Sequence, residues 1–441
     1  MKKVILLRPE ESRTIYNFKG IIENECLDLE IIYTLLKDKY AVTIYDLQVE
    51  TNSFKQHILN NHYDVLYVEG RAFQEGYMKE YISTFKNICN GLVIVGGQHA
   101  QINYERFYLD DVDYILSGYN YYDIDNIINN NITDIYNLHY QIDNKWYCSK
   151  AKHTDINDLP MADRTYFYNH KNNYQYLDLN HAMWIRSAFA CPYKCEFCIR
   201  RKMNNSKYSR RDLISLVDEI ENNDNEVVYI VDDDFLYDEK YILDFINLIK
   251  KRNIKRKYIC YGRSDFISKH ESLMKKFKEI GLYYVLVGLE DINDNKLDEY
   301  NKLSSTKNNE NTIRICHKYD IHLMAMFIVG LDFKKQDFDD LYRYVVKHDL
   351  KHVAVSIYTP EIGNDKDVTY ISDDLSHFDY LHLVCKPHYL SVRKYYYYYH
   401  ILLIKLFIKA YRQKVYSFID YKYYIKTFIS NIIFGKKDKY V

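Results

Sequence analysis

Two series of short apolar runs, each run followed by a longer segment with helical spacing of its apolar residues, fill most of this chain. In residues 1–135, runs at 4–7, 42–45, 65–67, 92–95 and 114–116 alternate with helical patterns at 27–36, 54–59 and 77–88. Alternation of this kind buries a parallel sheet between two layers of helices, so it predicts an α/β fold with a doubly wound, five-stranded parallel sheet. The ligand crevice of such a sheet lies beyond the carboxyl ends of its strands. Gly70 and the pair Gly96-Gly97 fall there, where a missing side chain lets a bulky ligand approach the backbone.

The second series, residues 181–370, has strand patterns at 184–189, 227–231, 258–261, 284–287, 324–329 and 353–357. Helical patterns at 213–220, 241–250, 271–279, 308–319 and 338–347 separate them, which predicts a partial (β/α)6 barrel. Residues 136–180 read as a hairpin turning at Asp143-Asn144, followed by a polar linker. Residues 371–441 read as a helical C-terminal region crowded with tyrosine, including Tyr395 to Tyr399. The simplest reading packs its Tyr and Leu side chains on the barrel and turns its lysines to water. An amphipathic helix on a membrane surface is the alternative.

A chain of 441 residues is too long for one core, and its balance of 60 basic against 61 acidic residues offers no electrostatic footprint for a nucleic-acid backbone. The 49 tyrosines are read as coding bias rather than as a stacking platform. The first apolar run is too short for an export signal and no stretch of about 18 uncharged apolar residues occurs, so a cytoplasmic protein with reduced thiols and no transmembrane segment is expected.

Chemistry concentrates in Cys191-Pro-Tyr-Lys-Cys195-Glu-Phe-Cys198, which falls directly after the first strand of the second series. Three thiolates at spacings of four and three can hold three irons of a cubane and leave the fourth iron open to a small molecule. The nearest other cysteines, Cys148 and Cys260, are too far along the chain to be local fourth ligands. Zinc would ask for four Cys or His ligands in paired spacings, and no His lies near the loop. Inert buried thiols are the blander reading, and nine cysteines is an odd number for a disulfide framework.

With this motif on the first strand of a barrel, the chain resembles the radical S-adenosylmethionine (SAM) superfamily, whose hallmark has an aromatic before the last Cys, here Phe197. The domain order resembles the branch with an N-terminal cobalamin-binding domain of Rossmann type. Segments Val95-Gly-Gly-Gln-His-Ala100, Val112-Asp-Tyr-Ile-Leu-Ser-Gly118, Asp158-Leu-Pro-Met-Ala-Asp-Arg164, Val231-Asp-Asp-Asp-Phe235 and Val287-Gly-Leu-Glu290 carry that likeness. The resemblance implies a [4Fe–4S] cluster on Cys191, Cys195 and Cys198, with SAM chelated by the open iron. It places Asp232 and Asp233 near the SAM amino group and Glu290 on the ribose hydroxyls, where a carboxylate accepts two hydrogen bonds from a vicinal diol. Arg263 would pair with the SAM carboxylate. Gly70, Gly96, Gly97 and His99 are the candidates for cobalamin. The Asp-x-His-x-x-Gly fingerprint that supplies an axial His is absent, since the loop after the first strand reads Arg8-Pro-Glu-Glu-Ser-Arg-Thr-Ile. An acidic turn after the fifth strand is replaced by Ser117-Gly-Tyr-Asn-Tyr-Tyr.

The implied reaction is reductive cleavage of SAM to a 5′-deoxyadenosyl radical, fed by a low-potential donor such as flavodoxin or ferredoxin. The expected outcome is cobalamin-dependent methylation of an unactivated carbon. A cyclisation, rearrangement or oxidation without methyl transfer is the second reading, with the N-terminal domain used for docking. A non-enzymatic iron–sulfur electron carrier is the third. No peptide-binding domain or extra cysteine-rich region is seen, which favours a small or lipid-like substrate.

Overall fold

The computed structural model describes residues 1–11, 21–360, 362 and 368–418. Residues 12–20, which include part of the loop after the first strand, and 419–441 of the tyrosine-rich tail lie outside the described residues.

The first domain is built on strands β1 (Lys3–Arg8), β2 (Ala41–Asp46), β3 (Val65–Glu69), β4 (Leu92–Gly96) and β5 (Tyr114–Leu116). They form a parallel sheet in the order β2-β1-β3-β4-β5, with Val4 level with Val42 and Val65. Period-two alternation then sorts the side chains. Val4, Leu6, Tyr67 and Ile94 pack on one face under helix α1 (Leu27–Leu36). Ile5, Leu7, Leu66, Val68 and Val93 pack on the other under α2 (Phe54–Asn60) and α3 (Glu75–Ile88). A further helix, α4 (Gly97–Asn103), starts straight from β4.

The five parallel strands match the expectation, but the sheet has seven strands. The hairpin, β6 (Leu138–Ile142) and β7 (Lys145–Cys148), is not part of a linker: β6 pairs antiparallel with β5, Leu138 opposite Leu116. Asp143 and Asn144 both take positive φ, 50° and 60°, which gives the tight turn its strand-matching twist. The ladder of β5 leaves unpaired backbone groups on its far side, and the hairpin caps that edge. The first domain therefore runs past residue 135 to Cys148.

The second domain has strands β8 (Ala182–Ile185), β9 (Val227–Ile230), β10 (Lys257–Gly262), β11 (Leu282–Glu290), β12 (His322–Val329) and β13 (His352–Ile357). All are parallel and neighbours in sequence order. Helices α5 (Leu213–Asn222), α6 (Glu239–Lys251), α7 (Glu271–Glu279), α8 (Thr306–Lys318) and α9 (Lys335–Lys347) connect them and bury their apolar sides against the outer face of the sheet. The inner face carries Tyr229, Ile259, Tyr284, Leu286 and Met324. A small antiparallel sheet of Ile22–Glu23, Gln175–Tyr176 and Leu179–Asn180 brings Tyr176, Leu177 and Leu179 into that inner cluster.

Two further expectations are corrected. The run 184–189 is not one strand: the parallel ladder stops at Ile185, and Ala188–Phe189 pairs antiparallel with Ser209–Arg210. The backbone N–H groups of Ser187 and Ala188 donate instead to the Asp232 carboxylate, at 2.7 and 3.0 Å, which ends the ladder. Nor is the C-terminal region helical from 371. Among the described residues only a 3₁₀ turn, Leu375–His377, precedes α10 (Val392–Arg412). Pro387 disfavours helix for itself and the residue before it, and Ser391 then caps α10 by accepting from the Lys394 N–H.

Candidate functional site

Parallel strands in register bring their carboxyl ends to one edge of the sheet, and that edge carries the candidate residues. The cysteine loop follows β8, Asp232 to Asp234 follow β9, Arg263 follows β10 and Glu290 ends β11. The loop is pinned to the segment beyond β11. Glu196 N–H donates to Tyr300 O at 3.0 Å, Asn301 donates to Lys194 O at 3.0 Å, and Phe197 meets Tyr300 edge-on at 5.4 Å. Inside the loop, Cys198 N–H donates to Cys195 O at 3.2 Å. None of the three thiols is in a disulfide; Cys195 is buried and the other two are half-buried. Burial pushes the Cys191 thiol up to about 12, so a bound cation is what would favour its thiolate.

Two cations flank this loop. Arg263 lies with its guanidinium 3.7 Å from the Tyr193 ring centroid and donates to the Cys195 sulfur at 3.6 Å and to Asp265 at 2.9 Å. It also donates to the backbone carbonyl of Lys302. The Lys302 ammonium, 7 % exposed, donates to Glu290 at 2.7 Å. Glu290 sits at φ 60°, turning its carboxylate back over Gly288, where an added Cβ would overlap Glu290 and meet the Lys302 nitrogen at 2.9 Å. Lys302 was not singled out in the sequence. Its only signal there is distance from Glu290, twelve residues, with no periodicity to link them.

The three aspartates after β9 have three different environments. Asp232 accepts from the backbone of Ser187 and Ala188 and from the Ser187 hydroxyl, so it organises the approach to the cysteine loop. Asp233 lies 3.4 Å from Arg200, which also donates to Gln98 of α4 in the first domain. Asp234 is 3 % exposed, and neither carboxylate oxygen has a hydrogen-bond partner among the described residues. Burial raises its carboxyl to about 7 against the pull of Arg263 and Lys302. A buried carboxylate without a partner costs free energy unless a ligand supplies one, and Asp234 was missed because an aspartate run reads equally well as a helix cap.

Among the described residues no three His, Cys, Asp or Glu side chains converge on a point where one ion would sit. A cubane asks for something else, one thiolate on each of three irons.

The first-domain candidates are also placed. The space beside each glycine is taken by the chain itself: a Cβ on Gly70 would lie 2.8 Å from the Met78 sulfur, one on Gly96 would overlap the Tyr67 hydroxyl, and one on Gly97 would lie 2.6 Å from the Glu69 Cβ. Gly97 has φ 81°, the conformation that turns β4 into α4. His99 is buried, its Nε2 2.7 Å from Glu75. Burial alone would raise Glu75, but hydrogen bonds from His99, Arg106 and Lys79 outweigh it and hold this carboxyl at about 2. Among the described residues the Tyr67 and Tyr121 hydroxyls and one oxygen of Glu69 are buried without a partner at this end of the sheet, and burial with Asp28 nearby pushes Glu69 up to about 8. Tyr119, from the turn after β5, stacks on Phe189 at 3.9 Å, and Arg186 pairs with Asp28 at 2.5 Å. The polar end of the first sheet therefore abuts the root of the cysteine loop, and a cleft between the domains is lined by Arg71, Phe73, Gln98, Ile199 and Arg200.

Comparison with known proteins agrees with this layout. The family model described as the radical SAM superfamily matches residues 185–345. An anaerobic magnesium-protoporphyrin IX monomethyl ester cyclase of Cereibacter sphaeroides is 29 % identical over 220 residues, 48 % of this chain and 36 % of that protein. A hopanoid C-3 methylase of Methylococcus capsulatus is 21 % identical over 214 residues, 48 % of this chain and 40 % of that protein. The match thus spans less than half the length of these relatives. Among solved structures, the radical SAM methyltransferase TsrM of Kitasatospora setae, with cobalamin and a [4Fe–4S] cluster bound, superposes with a TM-score of 0.67 at 14 % identity, over 93 % of this chain and 91 % of that one. The cobalamin-dependent radical SAM enzyme OxsB gives 0.65 at 16 % identity, over 78 % and 52 %. Residues 185–345, which include the three-cysteine loop at the carboxyl edge of the second sheet, thus match the radical SAM superfamily model, and the fold of the two domains together is similar to that of TsrM and OxsB.

Proposed function

We propose that this chain is a radical SAM enzyme in which Cys191, Cys195 and Cys198 hold a [4Fe–4S] cluster at the mouth of a partial (β/α)6 barrel. One observation carries the reading: the cysteine loop shares its edge of the sheet with two buried cations, Arg263 and Lys302, and two buried carboxylates, Asp234 and Glu290. SAM presents a carboxylate, an ammonium group and a ribose diol, and this set is complementary to all three. The cluster and SAM together supply reductive cleavage of the C5′–S bond and a 5′-deoxyadenosyl radical, a reaction no side chain can perform.

The chain's own residues bind and orient. Arg263 offers its fork to the SAM carboxylate from beside Cys195, with Lys302 adding charge. Asp234 gains an ammonium partner and is then held ionised, and Asp233 lies one residue away toward the first domain. Glu290 takes the ribose hydroxyls while Lys302 keeps its charge paired. Phe197 against Tyr300 closes the loop from behind. An electron enters from a low-potential donor of the flavodoxin or ferredoxin class.

We assign methylation of an unactivated carbon in a small or lipid-like substrate as the outcome, with cobalamin at the carboxyl end of the first sheet supplying the methyl group. One feature supports a cofactor there: oxygens of Tyr67, Glu69 and Tyr121 that are buried without a partner among the described residues, whereas the space beside Gly96 and Gly97 is taken by Tyr67 and Glu69. His99, committed to Glu75, is not available to ligate cobalt, so it supports the turn instead. The relative named as a cyclase supports a second outcome, radical cyclisation without methyl transfer.

Two experiments test these assignments. Glu290→Gln should weaken SAM binding by on the order of 1–3 kcal/mol, about 5-fold to 150-fold, with the cluster's visible spectrum unchanged. An unaltered SAM dissociation constant removes Glu290 from the site. Hydroxocobalamin added to purified protein and passed through a desalting column should be retained near one equivalent, with a spectrum lacking imidazole ligation. Complete loss moves the assignment to radical chemistry without methyl transfer.

A further inference from the structure

One flank of the cysteine loop is aromatic and reaches solvent. Tyr193, between Cys191 and Cys195, is half-buried, and its ring meets Tyr237 edge-on at 5.7 Å. Tyr237 is 40 % exposed and meets Tyr208 edge-on at 5.6 Å. The Arg210 guanidinium lies 5.5 and 5.6 Å from the Tyr208 and Tyr237 ring centroids and steadies this outer pair. On the inner side Tyr193 lies against Arg263, which donates to the Cys195 sulfur at 3.6 Å. The rings therefore lead from the surface to a sulfur of the loop. Elsewhere the loop is packed on protein, with Phe197 against Tyr300 and Arg200 bonded to Gln98 of the first domain.

The charge around these rings is one-sided. Residues 191–211 contain seven lysines and arginines and one acid, Glu196. Three of the cations are matched by acids of neighbouring segments: Arg200 by Asp233 at 3.4 Å, Arg210 by Asp238 at 3.5 Å, and Arg211 by Glu219. Lys194 and Lys207 are exposed and form no ion pair among the described residues. They adjoin Tyr193 and Tyr208 in the chain, so they stand at two ends of the aromatic trio. The excess is local, because the whole chain has 60 basic and 61 acidic residues. An exposed aromatic patch rimmed by unmatched cations fits a protein with an acidic face, and redox partners meet through small surfaces of this kind, steered by charge. A nucleic-acid backbone would ask for a longer basic stripe. Because electron transfer falls off steeply with separation, a donor seated beside the loop is well placed to feed it.

We propose that Tyr193, Tyr208 and Tyr237, rimmed by Lys194 and Lys207, form the docking surface for an acidic electron-donor protein of the flavodoxin class. The proposal rests on the radical SAM reading above. The donor gives up one electron to the cluster, and the residues of the patch are themselves neither oxidised nor reduced. An acidic flavodoxin is titrated onto the cluster-loaded protein in a calorimeter, with no SAM and no turnover. It should bind, with an affinity that falls as salt is added. The double variant Lys194→Glu, Lys207→Glu should bind it about tenfold or more weakly while keeping the visible spectrum and thermal melt of the parent, because both side chains face solvent. Lys207→Glu alone, which lies outside the loop, should slow SAM cleavage driven by reduced flavodoxin and leave cleavage driven by dithionite unchanged. A parent protein that cleaves no SAM with dithionite counts against the radical reading, whereas the calorimetry reads the surface by itself. The proposal is overturned if flavodoxin does not bind, if the double variant binds it equally, or if a single-stranded RNA displaces it at equal concentration.

Discussion

Alanine at Cys191, Cys195 or Cys198 will take the iron content after anaerobic reconstitution from about four per chain to background, and SAM cleavage with it. The expectation rests on how few alternatives the fold offers. Cys260 is wholly buried within β10, Cys148 is exposed on the first domain beside His139, and Cys316 is on the core-facing side of α8. None of them is on the loop, so a lost ligand has no local substitute. Protein contacts also hold the loop: Glu196 and Asn301 tie it to the segment beyond β11, and Asp232 anchors its root. The variants should therefore stay folded, and a far-ultraviolet spectrum like that of the parent separates loss of cluster from loss of structure. Cys316→Ala is the matched control, costing some core packing but no iron. A parent protein holding a single tightly bound zinc and no sulfide would remove the cluster from the proposal, as would Cys191→Ala retaining all four irons.

Arg164→Met is expected to be the most destabilising single change away from the loop, by about 3–5 kcal/mol near neutral pH. Arg164 donates to Glu25 and Glu30 of the first domain and to Glu219 of α5, and to the Trp184 carbonyl at 2.8 Å. Arg211 completes the set by donating to Glu219. Arg164 and its three carboxylate partners are all less than 5 % exposed. Removing the central guanidinium leaves three buried carboxylates facing one remaining cation. Burial, and then Glu25, already push the Glu30 carboxyl well up, so it is the first of the three expected to take a proton. The deficit should therefore be largest at neutral and higher pH and shrink as pH falls, when protonation removes the uncompensated charge. Adding Glu30→Gln to Arg164→Met should recover part of the loss. Urea titrations of the three proteins at two pH values measure it, and a midpoint for Arg164→Met equal to the parent's would show that the network contributes nothing. Because Arg164 belongs to the segment between the domains and bonds both, a loosened network should also slacken the cleft beside the cysteine loop.

What was legible in the sequence was local. The five strands of the first domain and the six of the second are short apolar runs whose length and flanks identify them without a partner, and helices such as Leu27–Leu36 and Glu271–Glu279 follow from apolar spacing alone. The cysteine motif is legible for the same reason, since all three ligands lie within one loop. The rest depended on neighbours in space. Asp232, Asp233 and Asp234 are indistinguishable along the chain, and only packing gives one to the Ser187 backbone, one to Arg200 and leaves one buried without a partner among the described residues. Lys302 meets Glu290 because the chain folds back beyond β11, which no periodicity announces. The hairpin at 138–148 is legible from its turn, but its place in the first sheet is not, because that depends on the open edge β5 presents for it to cap. The run 184–189 reads as one strand until Asp232, from the neighbouring strand, claims the N–H groups of Ser187 and Ala188. Backbone propensity and apolar pattern act over a few residues and so decide where elements lie. Which buried charge meets which is a question of distance in three dimensions, and the tertiary structure alone decided it.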